Sequence, residues 1–374
     1  MSWKNEKLTE ICTVTTGKWD ANHASEKGKF RFYTCASKFL LCNTKRYDGK
    51  NIILPGNGAN VGDVYFYDGA FDAYQRTYVL SDIKIVPEYL YYHLQSNWEE
   101  TNRFKQYGSA TNFLKIGNFK DYNVCYPTLP IQQKIVKKLD AIFAEIDKAI
   151  AVSEANIKNT EALFQSYLRQ VFEQDREGWK KIYLKDIAEY FNGLTYSPKN
   201  VCENGTIVLR SSNIQKDKID LDDIVRVDSS IKDKLYVKSG DILMCSRNGS
   251  QRLIGKTATI DDLNERMTFG TFMMIIRSEN NFFLKWFFKS DLFKHQITSG
   301  ENTMINQITR YMLDEIVLSL PDVSIQKLIS NKISNLYVNS QKLKLNYISK
   351  INEFSLIKQS ILKQAFNGEL VKAA

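Results

Sequence analysis

Proline is scarce in this chain: there are six in 374 residues, at positions 55, 87, 127, 130, 198 and 321, and no two are adjacent. Methyl transfer to a base amino group usually relies on a doubled proline after Asn or Asp in the catalytic loop, so that chemistry is not expected here. Histidine is scarcer still. His23, His93 and His295 have no carboxylate or cysteine at ligand spacing, which assigns neither a metal centre nor a histidine base. The six cysteines (12, 35, 42, 125, 202, 245) form no Cys-x-x-Cys and read as reduced thiols of a cytosolic protein. No apolar run approaches the ~18 residues that span a bilayer, and the polar start Met1-Ser2-Trp3-Lys4-Asn5-Glu6-Lys7 is no signal peptide. These absences predict a cytoplasmic, non-catalytic chain with no metal and no cofactor of its own.

Two glycine-rich stretches imitate nucleotide loops. Gly56-x-Gly58-x-x-x-Gly62 misses the dinucleotide spacing by one residue, and the alternation after it predicts a strand. Gly255-Lys256-Thr257 resembles the end of a Walker loop, but Gly249 stands at the wrong distance and no helix is expected next. A phosphate cradle needs a helix N-terminus, so both are set aside.

What is present is a repeat. Gln165-Ser166-Tyr167-Leu168-Arg169-Gln170-Val171-Phe172 returns 194 residues later as Gln359-Ser360-Ile361-Leu362-Lys363-Gln364-Ala365-Phe366. Leu90/Leu284, Ser96/Ser290, Pro127/Pro321, Gln132/Gln326 and Ile135/Ile329 keep the same offset. Near the amino end the offset is 176, through Trp3/Trp179, Lys4/Lys180, Leu8/Leu184, Ile11/Ile187 and Gly17/Gly193. The second copy therefore holds 18 extra residues between about positions 18 and 89 of the first. A long unit present twice is a pseudo-two-fold molecule, not a solenoid, and suits a split target.

Each copy reads as a mixed α/β globule followed by one helix of about 40 residues, on the order of 60 Å long. The boundaries fall at 1–128, 129–177, 178–321 and 322–374, with Gly178 and Gly368 as stop signals. Apolar residues recur at steps of three and four along both helices. The residues expected to pair them are Ile135, Leu139, Ile142, Ile146, Ile157 and Leu163 in the first, and Ile329, Ile333, Leu336, Leu343, Ile351 and Ile361 in the second. The fold class expected is α+β: two pseudo-two-fold-related α/β globules separated by an antiparallel pair of long helices. The alternative is that each helix packs on its own globule.

The globules are strand- and turn-rich. Ile52-Ile53-Leu54 leads through an Asn57-Gly58 turn to Val64-Tyr65-Phe66-Tyr67, and Ile242-Leu243-Met244-Cys245 leads through Asn248-Gly249 to Thr257-Ala258. Both read as hairpins. The net charge of +9 is spread along the chain, as in a nucleic-acid binder whose basic residues gather only on folding. Arg, Asn and Gln are the side chains that read purine edges in pairs of hydrogen bonds. The candidates are Arg247, Asn248, Gln251 and Arg252 in the second copy and Asn57, Asn60, Gln75 and Arg76 in the first. Lys45 and Arg46 suit phosphates, and Tyr74 and Tyr107 suit sugars or bases. Asn and Gly also belong in hairpin turns for backbone reasons alone.

Taken together, the chain resembles the specificity subunits of type I restriction–modification systems over nearly its whole length. The resemblance rests on the duplication, on Pro127-Thr128-Leu129-Pro130-Ile131-Gln132-Gln133-Lys134-Ile135 opening the first helix, and on the two Ser-x-Leu-[Arg/Lys]-Gln-x-Phe endings. Trp3-Lys4, Trp179-Lys180 and Ala365-Phe366-Asn367-Gly368-Glu369-Leu370 add to it; Pro321-Asp322-Val323-Ser324-Ile325-Gln326 lacks the second proline and second glutamine. The resemblance implies two target-recognition domains, each reading half of a split site in double-stranded DNA, with the helices as ruler and dock. It implies two methyltransferase subunits carrying S-adenosylmethionine and separate restriction motor-nuclease subunits. A stand-alone two-domain DNA-binding regulator, or a coiled-coil adaptor that binds no DNA, would share parts of this architecture.

Overall fold

The computed structural model describes residues 3–102, 112–173, 177–261, 264–298 and 307–369. The chain folds as two compact units, Met1–Glu154 with Ile348–Ala374, and Ala155–Tyr347.

In the first unit a four-stranded antiparallel sheet runs Thr13–Thr16, Thr77–Ser81, Lys50–Pro55, Tyr65–Asp68. A second sheet sets Phe30–Tyr33 between Leu40–Cys42, antiparallel, and Phe71–Ala73, parallel. The second unit repeats this order. Its main sheet is Glu189–Asn192, Met273–Arg277, Ile242–Cys245, Thr257–Thr259. In its other sheet Thr206–Leu209 lies parallel to Met267–Phe269 and antiparallel to Arg226–Val227. Both hairpins read from the sequence are therefore formed, and a strand follows each glycine-rich stretch. Ten of the 18 extra residues of the second copy lengthen the link between its paired strands, 210–225 against 34–39, where a small hairpin forms, Ile214–Gln215 with Lys218–Ile219.

The central strands are continuous apolar runs because both their faces are covered. Side chains alternate by face. Ile52, Leu54 and Leu80 enter the core on the helical side, while Ile53 and Val79 enter the core shared with the second sheet. Ile242, Met244, Met274 and Ile276 divide in the same way from Leu243, Cys245, Met273 and Ile275. Each fully buried side chain of this size contributes about 1.5–3 kcal/mol.

The long helices are Leu129–Phe172 and Val323–Phe366, 44 residues each. The first ends before Gly178, while Gly368 lies two residues past the end of the second, with φ +78°. Each begins on its own repeat. Gln132 donates to the Pro127 carbonyl at 2.8 Å and Gln326 to that of Pro321 at 2.8 Å, which locks the first turn of each helix onto the strand before it. Each ends on the other repeat. Ile135, Leu139, Phe143 and Ile146 share the first unit's core with Leu362 and Ala365 of the second helix. Phe164, Leu168 and Phe172 of the first helix share the second unit's core with Ile329 and Ile333. In each unit the amino-terminal part of one helix thus meets the carboxy-terminal part of the other. Packing of each helix on its own globule alone is excluded.

The pairing residues need correction. Ile135, Leu139, Ile146, Ile329 and Ile333 are buried, and Ile157, Leu336, Ile351 and Ile361 are half-buried. Leu163 is 67% exposed and Leu343 47%, and Ile142 lies at the edge. The reason is angular. At about 100° per residue, Leu163 stands roughly 80° round the helix from Ile135, whereas Phe164 stands within about 20°. Phe164 is the buried one. Ile357, the repeat counterpart of Leu163, is exposed too. No described helix is long and apolar enough to cross a membrane.

Candidate nucleic-acid interface

Three strand ends meet at one rim of the first unit's main sheet. The Gly56 amide donates to the Arg76 carbonyl at 2.9 Å, and that of Leu114 to Gly56 at 2.8 Å. Thr77 closes the turn onto the Tyr74 carbonyl at 2.8 Å, and the Gly17 amide reaches the Thr77 carbonyl at 3.1 Å. The approach is closer than a side chain permits. A Cβ on Gly17 would fall 1.9 Å from the Ala73 carbonyl oxygen, and one on Gly56 2.2 Å from that of Arg76. The rim opens into a cleft of about 420 Å³ lined by Thr16, Asn57, Gln75, Arg76, Tyr78 and Phe113.

Of the residues expected to touch DNA, Asn57, Gln75 and Arg76 come together in this cleft. Arg46 donates from Nη1 to the carbonyl of Thr16, a lining residue of the cleft, at 3.0 Å. Lys45 is exposed, 3.7 Å from Asp48. Tyr74 is half-buried and paired with Trp19. Asn60 instead holds the loop together, donating from Nδ2 to the Cys35 carbonyl at 2.8 Å. Tyr107 lies outside the described residues. Sequence reasoning missed Trp19. Its indole is 41% exposed, stacks on His23 at 4.0 Å and donates to the buried Asp72 at 2.9 Å.

The second unit builds the same rim. Ser246 donates to the Phe272 carbonyl at 3.0 Å and Ile308 to Ser246 at 2.7 Å. Met273 closes its turn onto Gly270 at 2.8 Å, and Gly193 reaches Met273 at 3.2 Å. A Cβ on Gly193 would fall 2.0 Å from the Gly270 carbonyl oxygen. Asn57 pairs with Phe113 where Arg247 pairs with Gln307. Arg247 is therefore the counterpart of Asn57. The counterpart of Arg76 is Phe272, not a residue of the 248–252 loop. Phe272 is 55% exposed, with the Arg247 guanidinium 5.6 Å from its ring centre. Asn248 serves the loop, donating to Ser211 at 3.1 Å and accepting from the Ser250 amide at 2.9 Å. Gln251 and Arg252 project from the short turn Gln251–Leu253. Phe272 escaped notice because it stands 196 residues after Arg76, a register that neither repeat offset covers.

Among the described residues no group of three or more His, Cys, Asp or Glu is placed to hold a metal. The first rim presents Asn57, Gln75 and Arg76, and the second presents Arg247 and Phe272.

Two α/β units whose main sheets share one strand order, each completed by parts of both long helices, define a duplicated architecture. The model of the type I restriction modification DNA specificity domain matches residues 1–153 and again 176–353, and the chain belongs to that family. It is 34% identical over 151 residues to the specificity subunit of the type I restriction enzyme EcoDI of Escherichia coli, across 40% of this chain and 33% of that protein. It is 28% identical over 207 residues to that of EcoKI from Escherichia coli strain K12, across 52% and 44%. These matches span less than half of either relative. With the MjaVIII specificity subunit of Methanocaldococcus jannaschii it is 23% identical over 328 residues, across 80% and 76%. Among solved structures it is similar to a chain from work on complex assembly and conformational transition of the type I R-M system, with TM-score 0.77, 17% identity and 98% of both chains covered. It is also similar to the HsdS subunit of Thermoanaerobacter tengcongensis, with TM-score 0.52 and 17% identity over 98% and 97%. At that identity these structures speak for the fold.

Proposed function

We propose that the chain is the non-catalytic, DNA-reading subunit of a cytoplasmic type I restriction–modification complex and recognises a bipartite site in double-stranded DNA. The observation that carries this reading is the rim built twice on one backbone with different side chains, Asn57 and Arg76 against Arg247 and Phe272. One backbone frame presents both sets in the same geometry, and different side chains give each its own sequence. Each unit then reads one half of the site. The paired helices fix the gap and dock two methyltransferase subunits and, through them, the restriction motor-nuclease subunits. S-adenosylmethionine belongs to the methyltransferase partners. In support of docking, the helices leave Leu163, Leu343, Leu345 and Leu356 between 47% and 67% exposed, more apolar surface than a helix pair needs for itself.

The test is a segment exchange. Residues 18–110 are replaced by the homologous segment of another family member, and the methylated motif is sequenced in a host supplying the partner subunits. One half of the motif should change and the other persist. A change in both halves, or in neither, refutes the two-reader assignment.

A further inference from the structure

The equivalence of the two rims allows an assignment of bases, resting on the DNA-reading function proposed above. Positions 76 and 272 are each the third residue of a turn closed by the next residue's amide, that of Thr77 or Met273, onto the carbonyl three residues earlier, Tyr74 in one unit and Gly270 in the other. Positions 57 and 247 each follow the residue whose amide binds the carbonyl of 76 or 272. The backbone therefore presents two side chains side by side, in the same relation, in both units. In the first unit they are an amide and a guanidinium. In the second they are a guanidinium and a phenyl ring. An exposed phenylalanine on a rim is costly to leave in water, since each buried methylene is worth about 0.8 kcal/mol. It contributes nothing to the core behind it, which Met273 and Ile275 fill from the adjoining strand. Its ring lies under the Arg247 guanidinium, whose central carbon is 5.6 Å from the ring centre, within reach of a cation–π attraction.

We propose that Arg247 and Phe272 are a specificity pair. Arg247 takes the O6 and N7 edge of a guanine, and Phe272 covers the C5-methyl group of an adjacent thymine. Their counterparts Arg76 and Asn57 take a guanine and an adenine in the other half-site. The chemistry follows the major-groove pattern, in which guanine offers two acceptors to a guanidinium, adenine an acceptor and a donor to an amide, and thymine a methyl group to an apolar side chain.

The experiment uses the full chain and double-stranded oligonucleotides from a random pool, with the captured sequences read for wild type, Phe272→Ala, Arg247→Ala, Asn57→Ala and Arg76→Ala. Wild type should select a split sequence. Arg247→Ala should lose a guanine and Phe272→Ala a neighbouring thymine in one half, while Asn57→Ala and Arg76→Ala lose an adenine and a guanine in the other. Uracil in place of the assigned thymine removes only the methyl group. It should weaken wild-type binding about fourfold, the worth of one buried methyl, and leave Phe272→Ala unaffected. Replacing the assigned guanine should weaken wild type about 10- to 100-fold and Arg247→Ala far less. Position 272 is on the surface, so the melting temperature of Phe272→Ala should match wild type, and Phe272→Leu should keep part of the uracil response. If wild type selects a split sequence and Phe272→Ala and Arg247→Ala select the same one, this assignment fails and the DNA-reading function stands. If wild type selects no sequence, both fail.

Discussion

Truncating a single leucine of one helix should loosen the unit built on the other repeat. Leu168 belongs by sequence to the first copy, but it is fully buried in the second unit's core. Beside it Phe172 packs on Phe283 and Phe287, with ring centres 5.1 and 5.5 Å apart, and Gln165 bonds the Lys289 carbonyl and the Asp291 amide, both at 3.1 Å. Leu168→Ala removes three buried carbons, about 2.4 kcal/mol of transfer free energy at ~0.8 kcal/mol each, and the unfilled cavity raises the total to about 3–4 kcal/mol. At ~1.4 kcal/mol per tenfold, globally exchanging amides of the second unit should exchange at least about a hundredfold faster. Hydrogen–deuterium exchange on peptides from Met273–Arg277 and Thr77–Ser81 reads the two units separately. The first peptide should lose protection and the second keep it. Leu362→Ala should do the reverse, because Leu362 lies in the first unit's core, where neighbouring Phe366 packs on Tyr89 and His93 at 5.2 and 5.1 Å. If Leu168→Ala loosens Thr77–Ser81 as much as Met273–Arg277, each helix does not end on the other repeat and the reasoning fails.

His93 is 5% exposed, and burial lowers its pKa from the usual 6.5 to about 4. The unfolded chain then takes up a proton that the folded one refuses between those values, so the first unit should be fully stabilised above about pH 6.5 and lose about 3 kcal/mol as the pH falls to about 4; chemical denaturation across that range, with His93→Gln as a flat control, checks this. Asp217 sits at φ +64° on the hairpin tip, accepts from Tyr337 and pairs with the Lys289 ammonium at 2.6 Å. Asp217→Asn keeps the turn but strands that ammonium, and because the carboxylate is a third exposed the loss should be about 1–2 kcal/mol, read as a lower denaturation midpoint. A heptad inserted after Ser153 together with one after Tyr347 lengthens both helices by roughly 10 Å, and the gap in the methylated motif should widen by about three base pairs while both halves persist. An unchanged gap would show that the helices do not set it.

The duplication was plain in the sequence because it survives where the backbone tolerates only one residue. Gly17 and Gly193 mark the same near-contact of chain on chain, and Gln132 and Gln326 the same bond to a proline carbonyl. The hairpins were legible because central strands must be apolar on both faces and their turns carry Asn-Gly. The exchange of helix ends between repeats was not. Leu168 and Leu362 are alike in sequence, and nothing in an apolar stripe states which globule covers it. Leu163 was misread for a geometric reason, since steps of three and four match a regular helix only on average and the shortfall reaches most of a residue's angle after 28 residues.

The rim divides along the same line. Asn57, Gln75 and Arg76 stand out in the sequence because amide and guanidinium chemistry is legible in any residue list, and the structure gathers them in one cleft, while Phe272 reads as one more core aromatic until its 55% exposure is known. Asn60 and Asn248 show the converse. They have the side chain for adenine, but their amides are occupied by Cys35 in one unit and by Ser211 and the Ser250 amide in the other. A polar residue that completes a loop's own hydrogen bonds gives up its reading edge to hold the loop's shape. On the proposed reading, base contact would fall to neighbours with nothing to satisfy inside the fold. Within 246–252 that criterion sets Arg247, Gln251 and Arg252 apart from Asn248; of the three, Arg247 stands beside Phe272 on the rim, so its substitution should alter base preference more than that of Gln251 or Arg252, which project from their short turn.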